Sequence, residues 1–270
     1  MPIDFTLTAY GQLLIALKKS GYAFYTFEEW CDGKAHGRYV ILRHDVDLKA
    51  ENSLTIAQVE ETMGIRSTFY FRIIPQSNQP EIIGSIVNLG HEIGYHYEDL
   101  SLFQGDEVKA IEHFKIKLEY FRKYYPVRTI CMHGSPTSKW DNRNLWKSYD
   151  YKDFGIIGEP YFDFLNTNPN SEIKFKYFTD TARMWDGAIY NLRDKISGKS
   201  ESDYPPKNLL QVIHSTFNFI DWLEMKPDIE ILMITTHPQR WTDNFFEWFI
   251  ELVSQSIKNV IKRYILQKRL

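Results

Sequence analysis

Residues 39–49 read YVILRHDVDLK, an apolar run that leads directly into two aspartates one residue apart. Side chains alternate along a β-strand, so Asp45 and Asp47 point to one face and Arg43 shares that face. Two carboxylates held together on a buried face repel each other unless a positive charge compensates them, and a divalent cation is the usual compensation. The stretch therefore predicts a buried strand over residues 39–47 that ends in a metal site, with one carboxylate available as a base.

Strand-like and helix-like periodicity alternate along the rest of the chain. The predicted strands cover residues 39–47, 66–73, 91–97, 128–134, 154–161, 175–181, 188–193 and 231–237. The predicted helices cover residues 6–19, 50–63, 80–89 and 106–123, a segment opened by Pro206 with Ile213 on its apolar side, and residues 242–266. This alternation predicts a parallel sheet with helical crossovers, and the number of units favours a closed α/β barrel over an open sheet.

Composition excludes several classes of function. The net charge of −3 over 270 residues gives no reason to expect a polyanionic partner such as nucleic acid. No segment approaches the roughly 20 apolar residues that span a membrane, and the N-terminus lacks the pattern of a secretory signal, so we expect a cytoplasmic protein. Two cysteines, Cys31 and Cys131, are too few for a disulfide framework and lack the spacing of a zinc pair.

Three histidines occupy equivalent places in the predicted strands. His96 comes at the end of the strand over 91–97, His133 at the end of 128–134, and His237 at the end of 231–237. In parallel α/β barrels the active site lies at the carboxyl ends of the strands. Any one of these histidines alone is better explained as a buried structural residue. Their joint placement with the two aspartates predicts a metal-hydrolase site.

Three of these segments together resemble a known family. RHDVD at 43–47, GHEIGYH at 90–96 and ITTHPQRW at 234–241 resemble motifs of the NodB-type polysaccharide deacetylases, carbohydrate esterase family 4. The resemblance covers roughly residues 38–240. It implies a distorted (β/α)7–8 barrel in a single catalytic domain over residues 1–270. In that domain residues 1–38 are a lead-in with the N-terminal helix, 39–240 form the deacetylase barrel and 241–270 form the C-terminal helix.

The resemblance also implies roles for individual residues. Asp45 corresponds to the catalytic base, Asp47 and His96 to metal ligands, and His237 to the general acid. The implied cofactor is a divalent metal ion, with zinc expected, although Asp and His ligands suit several divalent metals. The implied reaction is hydrolytic removal of an acetyl group from an N-acetylated amino sugar.

One family feature is missing. The second metal-binding histidine of the family comes four residues after the first, and that position here is Leu100. We expect His133, in MHGSP, to be the third ligand because it falls where the family carries its third motif. Glu98 is the next choice, since it shares strand parity with His96. The RPP pattern of the third motif is replaced by HGSP, so the substrate-contacting arginine of the family is absent.

The segments MHGSP and FTDTARMW further resemble a branch of deacetylases associated with bacterial surface-polysaccharide (O-antigen) biosynthesis. That branch would act on amino-sugar or polysaccharide precursors in the cytoplasm. The candidate substrate-binding residues are Arg43, Glu98, Asp180, Arg183 and Trp185. For Asp180 and Arg183 a structural ion pair is an equally good interpretation.

Three other functions stay open at this point. A metal-dependent phosphoesterase could use the same aspartates and histidines. A non-catalytic relative could bind sugar through aromatic side chains, which make up 16% of the chain, and could have lost the metal with the ligand at Leu100. A purely structural interaction protein is the third alternative. The sequence names neither the sugar, nor the acyl group, nor the oligomeric state.

Overall fold

The computed structural model describes residues 2–134, 138–164, 174–185 and 213–267, with side chains described as far as residue 261. Seven strands lie within these ranges. They are β1 (Ala23–Tyr25), β2 (Tyr39–Val46), β3 (Thr68–Phe71), β4 (Glu92–Tyr97), β5 (Ile130–Met132), β6 (Phe175–Thr179) and β7 (Ile231–Thr236).

Helices connect most of these strands. They are α1 (Leu7–Lys19), α2 (Phe27–Cys31), α3 (Ala50–Thr62), α4 (Pro80–Asn88), α5 (Asp99–Leu102), α6 (Glu107–Phe121), α7 (Thr216–Glu224) and α8 (Phe245–Gln267). Short 3-10 turns cover Asn142–Lys147, Tyr151–Phe154, Thr181–Arg183 and Pro238–Arg240. None of the helices in the described part of the chain is long and apolar enough to cross a membrane.

All strand pairings are parallel, in the order β5-β4-β3-β2-β7-β6. The short strand β1 pairs with the first half of β2, as far as Ile41, and β3 pairs with the second half from Arg43 onward. Parallel strands joined by helices confirm the predicted α/β class. The strand β2, which carries the RHDVD motif, is completely buried at the centre of the sheet.

The sheet is strongly curled. The segment that follows Gly158 lies beyond β5, because Gly158 makes a parallel bridge with Thr129. In a flat sheet it would be about 19 Å from β2, since neighbouring strands are about 4.8 Å apart. Instead Arg43 Nη2 on β2 donates to the hydroxyl of Tyr161 at 2.9 Å. The strands therefore curve around a common interior, as predicted for a distorted barrel of this type, although no pairing joins β5 to β6 within the described ranges.

Polar side chains fill the interior of the curled sheet. Tyr70 on β3 lies across Gly94 on β4, where an added Cβ atom would be 2.2 Å from the Tyr70 ring. The absence of a side chain at Gly94 lets the Tyr70 hydroxyl reach Thr129 Oγ1 at 3.1 Å. Thr129 in turn donates to the buried carboxylate of Glu92. These contacts close the bottom of the interior below the site described next.

Two expectations about secondary structure were wrong. The segment predicted as a strand over 154–161 makes only the single bridge at Gly158, because Gly155 adopts a left-handed conformation and the Glu159 side chain accepts from nearby backbone amides. The helix predicted to open at Pro206 was expected to include Ile213, but residues 213–214 are not helical: α7 begins at Thr216, and Ser215 caps it in a reciprocal pair with Asn218. Ile213, expected on the apolar side of that helix, precedes it.

Other predictions lie outside the described residues. These are the strand over 188–193 and the opening of a helix at Pro206 itself. The remaining predicted helices and strands are present, and no end differs from its prediction by more than three residues. The short strand β1 and the short helix α2 were not predicted, because three and five residues are too few to show a periodic pattern.

Candidate active site

The carboxyl ends of four strands bring the candidate residues together. Asp47 follows β2, His96 lies near the end of β4, His133 follows β5 and His237 follows β7. Asp47 Oδ1 lies 3.6 Å from His96 Nε2 and 3.4 Å from His133 Nε2, and Asp47 Oδ2 lies 3.8 Å from His237 Nε2. Three imidazoles from three strands thus surround one carboxylate.

Asp47 has two features of a metal ligand. Its Oδ1 atom is buried and accepts no hydrogen bond from the described residues. Burial raises the pKa of Asp47, but His133, His96 and His237 together lower it well below its usual range, so the group is a carboxylate. Ligands of one zinc ion, each about 2.1 Å from the metal, are roughly 3.4 Å apart in tetrahedral geometry. The two distances from Oδ1 to the imidazoles are close to this value.

The orientation of His96 leaves a bare nitrogen facing the carboxylates. His96 Nδ1 lies 2.9 Å from the carbonyl oxygen of Cys131, which can only accept, so Nδ1 carries a proton and donates it. Nε2 of the neutral ring is then an acceptor, directed at Asp47 and, at 3.8 Å, at Asp45 Oδ2. Burial lowers the pKa of His96, but Asp45 and Asp47 raise it above the usual value overall. A positive charge, proton or metal, is favoured at this nitrogen.

Glu98 supports His133 from behind. His133 Nδ1 lies 3.1 Å from Glu98 Oε2, and Arg72 donates to both oxygens of Glu98 at 2.9 and 2.8 Å. Burial raises the pKa of Glu98, but His133 and Arg72 lower it to about 2. A carboxylate behind an imidazole fixes the ring and makes its other nitrogen more basic, which is typical around metal sites. This position suits a supporting carboxylate better than the substrate contact or direct ligand expected from the sequence.

Asp45 is compensated by a residue of its own strand. Arg43 Nε and Nη2 donate to its two oxygens at 2.9 and 2.8 Å. Burial raises the pKa of Asp45, but Arg43 and then His96 lower it below the usual value overall. The sequence argument expected a divalent cation to compensate the two aspartates; for Asp45 the compensating charge is Arg43. Arg43 itself has no exposed surface.

Asp180 supports His237 in the same way. Its Oδ1 lies 2.6 Å from His237 Nδ1, and its Oδ2 accepts from the His237 backbone amide at 2.9 Å. Arg240 and the indole of Trp241 also donate to this carboxylate. Burial raises the pKa of Asp180, but Arg240 and His237 lower it to about 2. A charged Asp180 keeps the proton of His237 on Nδ1, so Nε2 is the nitrogen that faces Asp47.

Two candidate substrate residues lie in the packing instead. The guanidinium of Arg183 stacks over the rings of Phe5 and Trp248, 4.8 and 5.2 Å from their centroids. Trp185 is 3% exposed, and its indole donates to Thr216 Oγ1 at 3.1 Å. The structure does not bring either side chain to the group around Asp47. Leu100, where the family would have a histidine, is buried in the hydrophobic core.

Sequence reasoning missed three of the supporting residues. Arg72 follows β3 directly, so the strand-end rule that found His96 and His133 would have found it too. Arg240 and Trp241 lie in the PQRW segment after His237, and the 3-10 turn over Pro238–Arg240 folds them back onto Asp180. No spacing of residues in the sequence predicts that this turn brings Arg240 and Trp241 to Asp180.

A second group of possible ligands lies one layer deeper. One ligand atom from each of Asp45, His96 and Cys131 lies within 4.8 Å of the other two, a more compact group than Asp47 and its imidazoles. Each oxygen of Asp45 already accepts a hydrogen bond from Arg43, however, and a cation there would meet the guanidinium charge. Asp47 has an unpaired oxygen and three imidazoles instead. On charge and hydrogen bonding we favour the group around Asp47.

Comparisons with known proteins give little direct help. No protein-family model matches this chain, and no curated protein matches it. Among solved structures, one described as a Streptococcus mutans CE4 esterase has a TM-score of 0.45 at 14% sequence identity, over 93% of this chain and 91% of that one. Similarity at this level carries no argument about the activity of this chain.

Proposed function

We propose that this protein is a metal-dependent hydrolase that removes the acetyl group from an N-acetylated amino sugar. The observation that supports this most directly is the unpaired Asp47 Oδ1 between the nitrogens of His96 and His133, beside a separate carboxylate and a separate imidazole. The carboxylate is Asp45 and the imidazole is His237. Metal-assisted hydrolysis needs such a ligand group together with one base and one acid.

Asp47, His96 and His133 would hold the metal, with zinc expected from this mixture of oxygen and nitrogen ligands. A divalent cation bound there would polarise the amide carbonyl and lower the pKa of water. The Glu98 carboxylate lies 3.1 Å from His133 Nδ1 as its charged neighbour, and the carbonyl of Cys131 accepts from His96 and fixes that ring. His133 thus takes the place of the histidine expected at position 100.

Asp45 is the proposed general base. Hydrolysis of an N-acetyl group adds one water and releases acetate and a free amine, so one proton must leave the attacking water. Asp45 can accept that proton because Arg43 keeps it ionised and fixes its orientation. General bases placed in this way typically accelerate a reaction by about 10² to 10⁴-fold.

His237 is the proposed general acid. The sugar nitrogen leaves as an amine only if it gains a proton as the carbon–nitrogen bond breaks. Asp180 holds the Nδ1 proton, so Nε2 is the atom that can pass a proton to this nitrogen. Asp180 places a negative charge beside the proposed acid, and Arg43 places a positive charge beside the proposed base. The two proton-transfer groups are therefore in different charge environments, as acid–base catalysis requires.

The residues proposed from sequence as substrate contacts take other roles in this scheme. Arg43, Glu98 and Asp180 become positioning residues for Asp45, His133 and His237. Arg183 and Trp185 become packing residues. We further propose that the chain acts as a single catalytic domain on a cytoplasmic precursor of a bacterial surface polysaccharide, such as an O-antigen. The support for this cytoplasmic role is the resemblance of the segments MHGSP and FTDTARMW to the deacetylases of O-antigen biosynthesis.

The test is acetate release by the purified, zinc-loaded protein from a panel of N-acetylated amino sugars, both free and nucleotide-linked. We expect release from at least one of them and a loss of about 10² to 10⁴-fold in Asp45→Asn. Glu92→Gln, the same change at a buried carboxylate below the site, is the control and should retain activity. Stoichiometric zinc with release of phosphate from monoesters, and no acetate, would support a phosphoesterase. Sugar binding without metal would support the non-catalytic alternative.

A further inference from the structure

The C-terminal helix α8 presents an apolar face to solvent. Eight of its apolar side chains are between 43% and 77% exposed. They are Phe245, Phe246, Phe249, Ile250, Val253, Ile257, Val260 and Ile261. We call this set the α8 face. A surface helix of a globular protein normally buries its apolar side and exposes its polar side, so the α8 face needs a partner.

The contacts on the other side of α8 fix this orientation. The indole of Trp248 donates to the carbonyl oxygen of Asp4 at 2.7 Å, and Asn259 Nδ2 donates to that of Ala182 at 3.1 Å. Gln255, between them, is 3% exposed and bonds to Asn259. The helix is therefore held to the protein by its polar side. Turning the α8 face inward would break these contacts.

The spacing of the α8 face is that of a helix-to-helix seam. Phe246, Ile250, Val253, Ile257 and Val260 follow one another at intervals of four, three, four and three residues. This is the a and d pattern of a coiled coil, with isoleucine at both a positions. The repeat of 3.5 residues keeps one narrow stripe facing a partner helix when the two helices wind gently around each other, whereas binding to a lipid surface needs only a broad apolar side.

The exposed area is large enough for a stable dimer. A fully exposed aromatic side chain presents on the order of 150–250 Å², and isoleucine and valine present somewhat less, so the eight residues at their exposed fractions present roughly 900 Å². The largest apolar patch on a typical monomer is about 300–600 Å², and a stable interface buries about 800 Å² per partner.

The charges along α8 indicate the direction of the partner. Residues 243–251 carry acidic side chains and no basic ones, and residues 252–267 carry basic side chains and no acidic ones. The acidic residues are Asp243, Glu247 and Glu251, and the basic ones are Lys258, Lys262 and Arg263. With Ile250 and Ile257 at a positions, Glu251 and Lys258 lie outside the seam, and Glu247 pairs with Lys49 of its own chain at 3.1 Å. These charges therefore act between the ends of the helices: an antiparallel copy brings the acidic end of one helix near the basic end of the other, and opposing helix dipoles favour the same arrangement. We propose that α8 pairs antiparallel with α8 of a second copy of this chain.

The test is the mass of the whole protein in solution, measured by light scattering and by analytical ultracentrifugation over a range of concentrations. We expect a dimer at micromolar concentration. Ile250→Glu and Val253→Glu should weaken it by at least about 100-fold, because a charge would be buried in the seam. The control is Ile116→Glu on α6, where the isoleucine is 65% exposed, as Ile250 is. This variant should remain a dimer.

Cross-linking tests the direction. Ser254→Cys lies near the two-fold axis of an antiparallel pair and should form a disulfide-linked dimer under mild oxidation, beyond any formed by the parent protein. Glu247→Cys lies at least about 13 Å from its copy along the helix axis in that arrangement, beyond the reach of a disulfide, and should not. A monomer at 50 µM would overturn the proposal. So would dimers unaffected by Ile250→Glu, equal cross-linking at both positions, or a monomer that binds anionic vesicles through the α8 face.

Discussion

Arg43 and Asp45 stand two residues apart on β2 and form a bidentate ion pair inside the curled sheet, with N–O distances of 2.9 and 2.8 Å. Because side chains two residues apart on a strand point to the same face, the two groups can pair, and the curl of the sheet buries the pair. Arg43 also stacks on the Tyr161 ring, 4.9 Å from its centroid, and donates to its hydroxyl. Arg43 thus lowers the pKa of the proposed base, and Asp47 receives no such contact from Arg43.

Arg43→Met should therefore affect both stability and catalysis. It leaves the Asp45 carboxylate buried without its partner, which costs about 3–5 kcal/mol of unfolding free energy for a broken buried pair. Activity should fall by roughly 10²-fold or more, and Arg43→Lys should recover part of both losses because it restores the charge. Urea denaturation and acetate release measure the two effects.

The control for that experiment is Arg128→Met. Arg128 also pairs with two carboxylates, Glu28 and Asp32, at 2.9 and 2.8 Å, but its side chain is 38% exposed. Exposed pairs contribute up to about 1 kcal/mol, so this change should be nearly neutral. Equal losses in the two variants would show that burial of the Arg43 pair has no special importance.

Asp180→Asn should impair the proposed acid without removing the metal. The amide carries no charge to stabilise a doubly protonated His237 ring, and a neutral ring with its proton on Nε2 is too weak an acid to protonate the leaving amine. We expect kcat to fall by about 10² to 10⁴-fold, with KM and zinc content nearly unchanged. Trp241→Phe removes one donor to Asp180 and should have a much smaller effect. Loss of zinc in Asp180→Asn would instead make Asp180 part of the metal site.

Zinc affinity can decide between the two groups of possible ligands. Asp47→Ala and His133→Ala should abolish stoichiometric zinc binding, and Glu98→Gln should weaken it by about 10 to 100-fold through His133. Cys131→Ser should leave the affinity unchanged if the ion lies at Asp47. Calorimetric titration with zinc measures all four variants. Zinc binding lost in Cys131→Ser and kept in His133→Ala would place the ion at Asp45, His96 and Cys131 instead.

Glu92 should make the protein less stable at neutral pH than in mild acid. Burial raises the pKa of Glu92 to about 7, against an ordinary value of 4.5, although hydrogen bonds from Thr129 and Thr68 oppose the shift. Between these two values the folded state binds more protons than the unfolded state, so the free energy of unfolding falls as pH rises. A difference of about 2.5 units corresponds to roughly 3 kcal/mol.

Glu92→Gln should remove this contribution to the pH dependence, because glutamine resembles the protonated acid and can keep its contacts to Thr129 and Thr68. Urea denaturation of both proteins at pH 5 and pH 8 measures the change. The variant should gain most at pH 8. Glu159 also has a pKa raised to about 7 by burial, so part of the slope should remain in Glu92→Gln. Parallel curves for the two proteins would show that Glu92 stays ionised in the folded state.

The outline of the fold and the positions of the principal polar residues followed from the sequence. Alternating periodicities predicted parallel strands with helices between them, and the strands over 39–46, 92–97 and 231–236 were found where expected. Asp47, His96, His133 and His237 could be singled out because the end of a strand is a local property that a single segment displays. Parallel strands then bring those ends to the same side of the sheet.

The partners of these residues were decided only by the tertiary structure. Asp180 and His237 are 57 positions apart, and Arg43 and Tyr161 are 118 apart, yet each pair is in contact. Such contacts depend on how far the sheet curls and on how the turns after the strands fold back, which no local pattern records. The sequence by itself determined which polar groups face the interior. Only the curl of the sheet decided which charges neutralise each other and which buried oxygen, Asp47 Oδ1, accepts no hydrogen bond from the described residues.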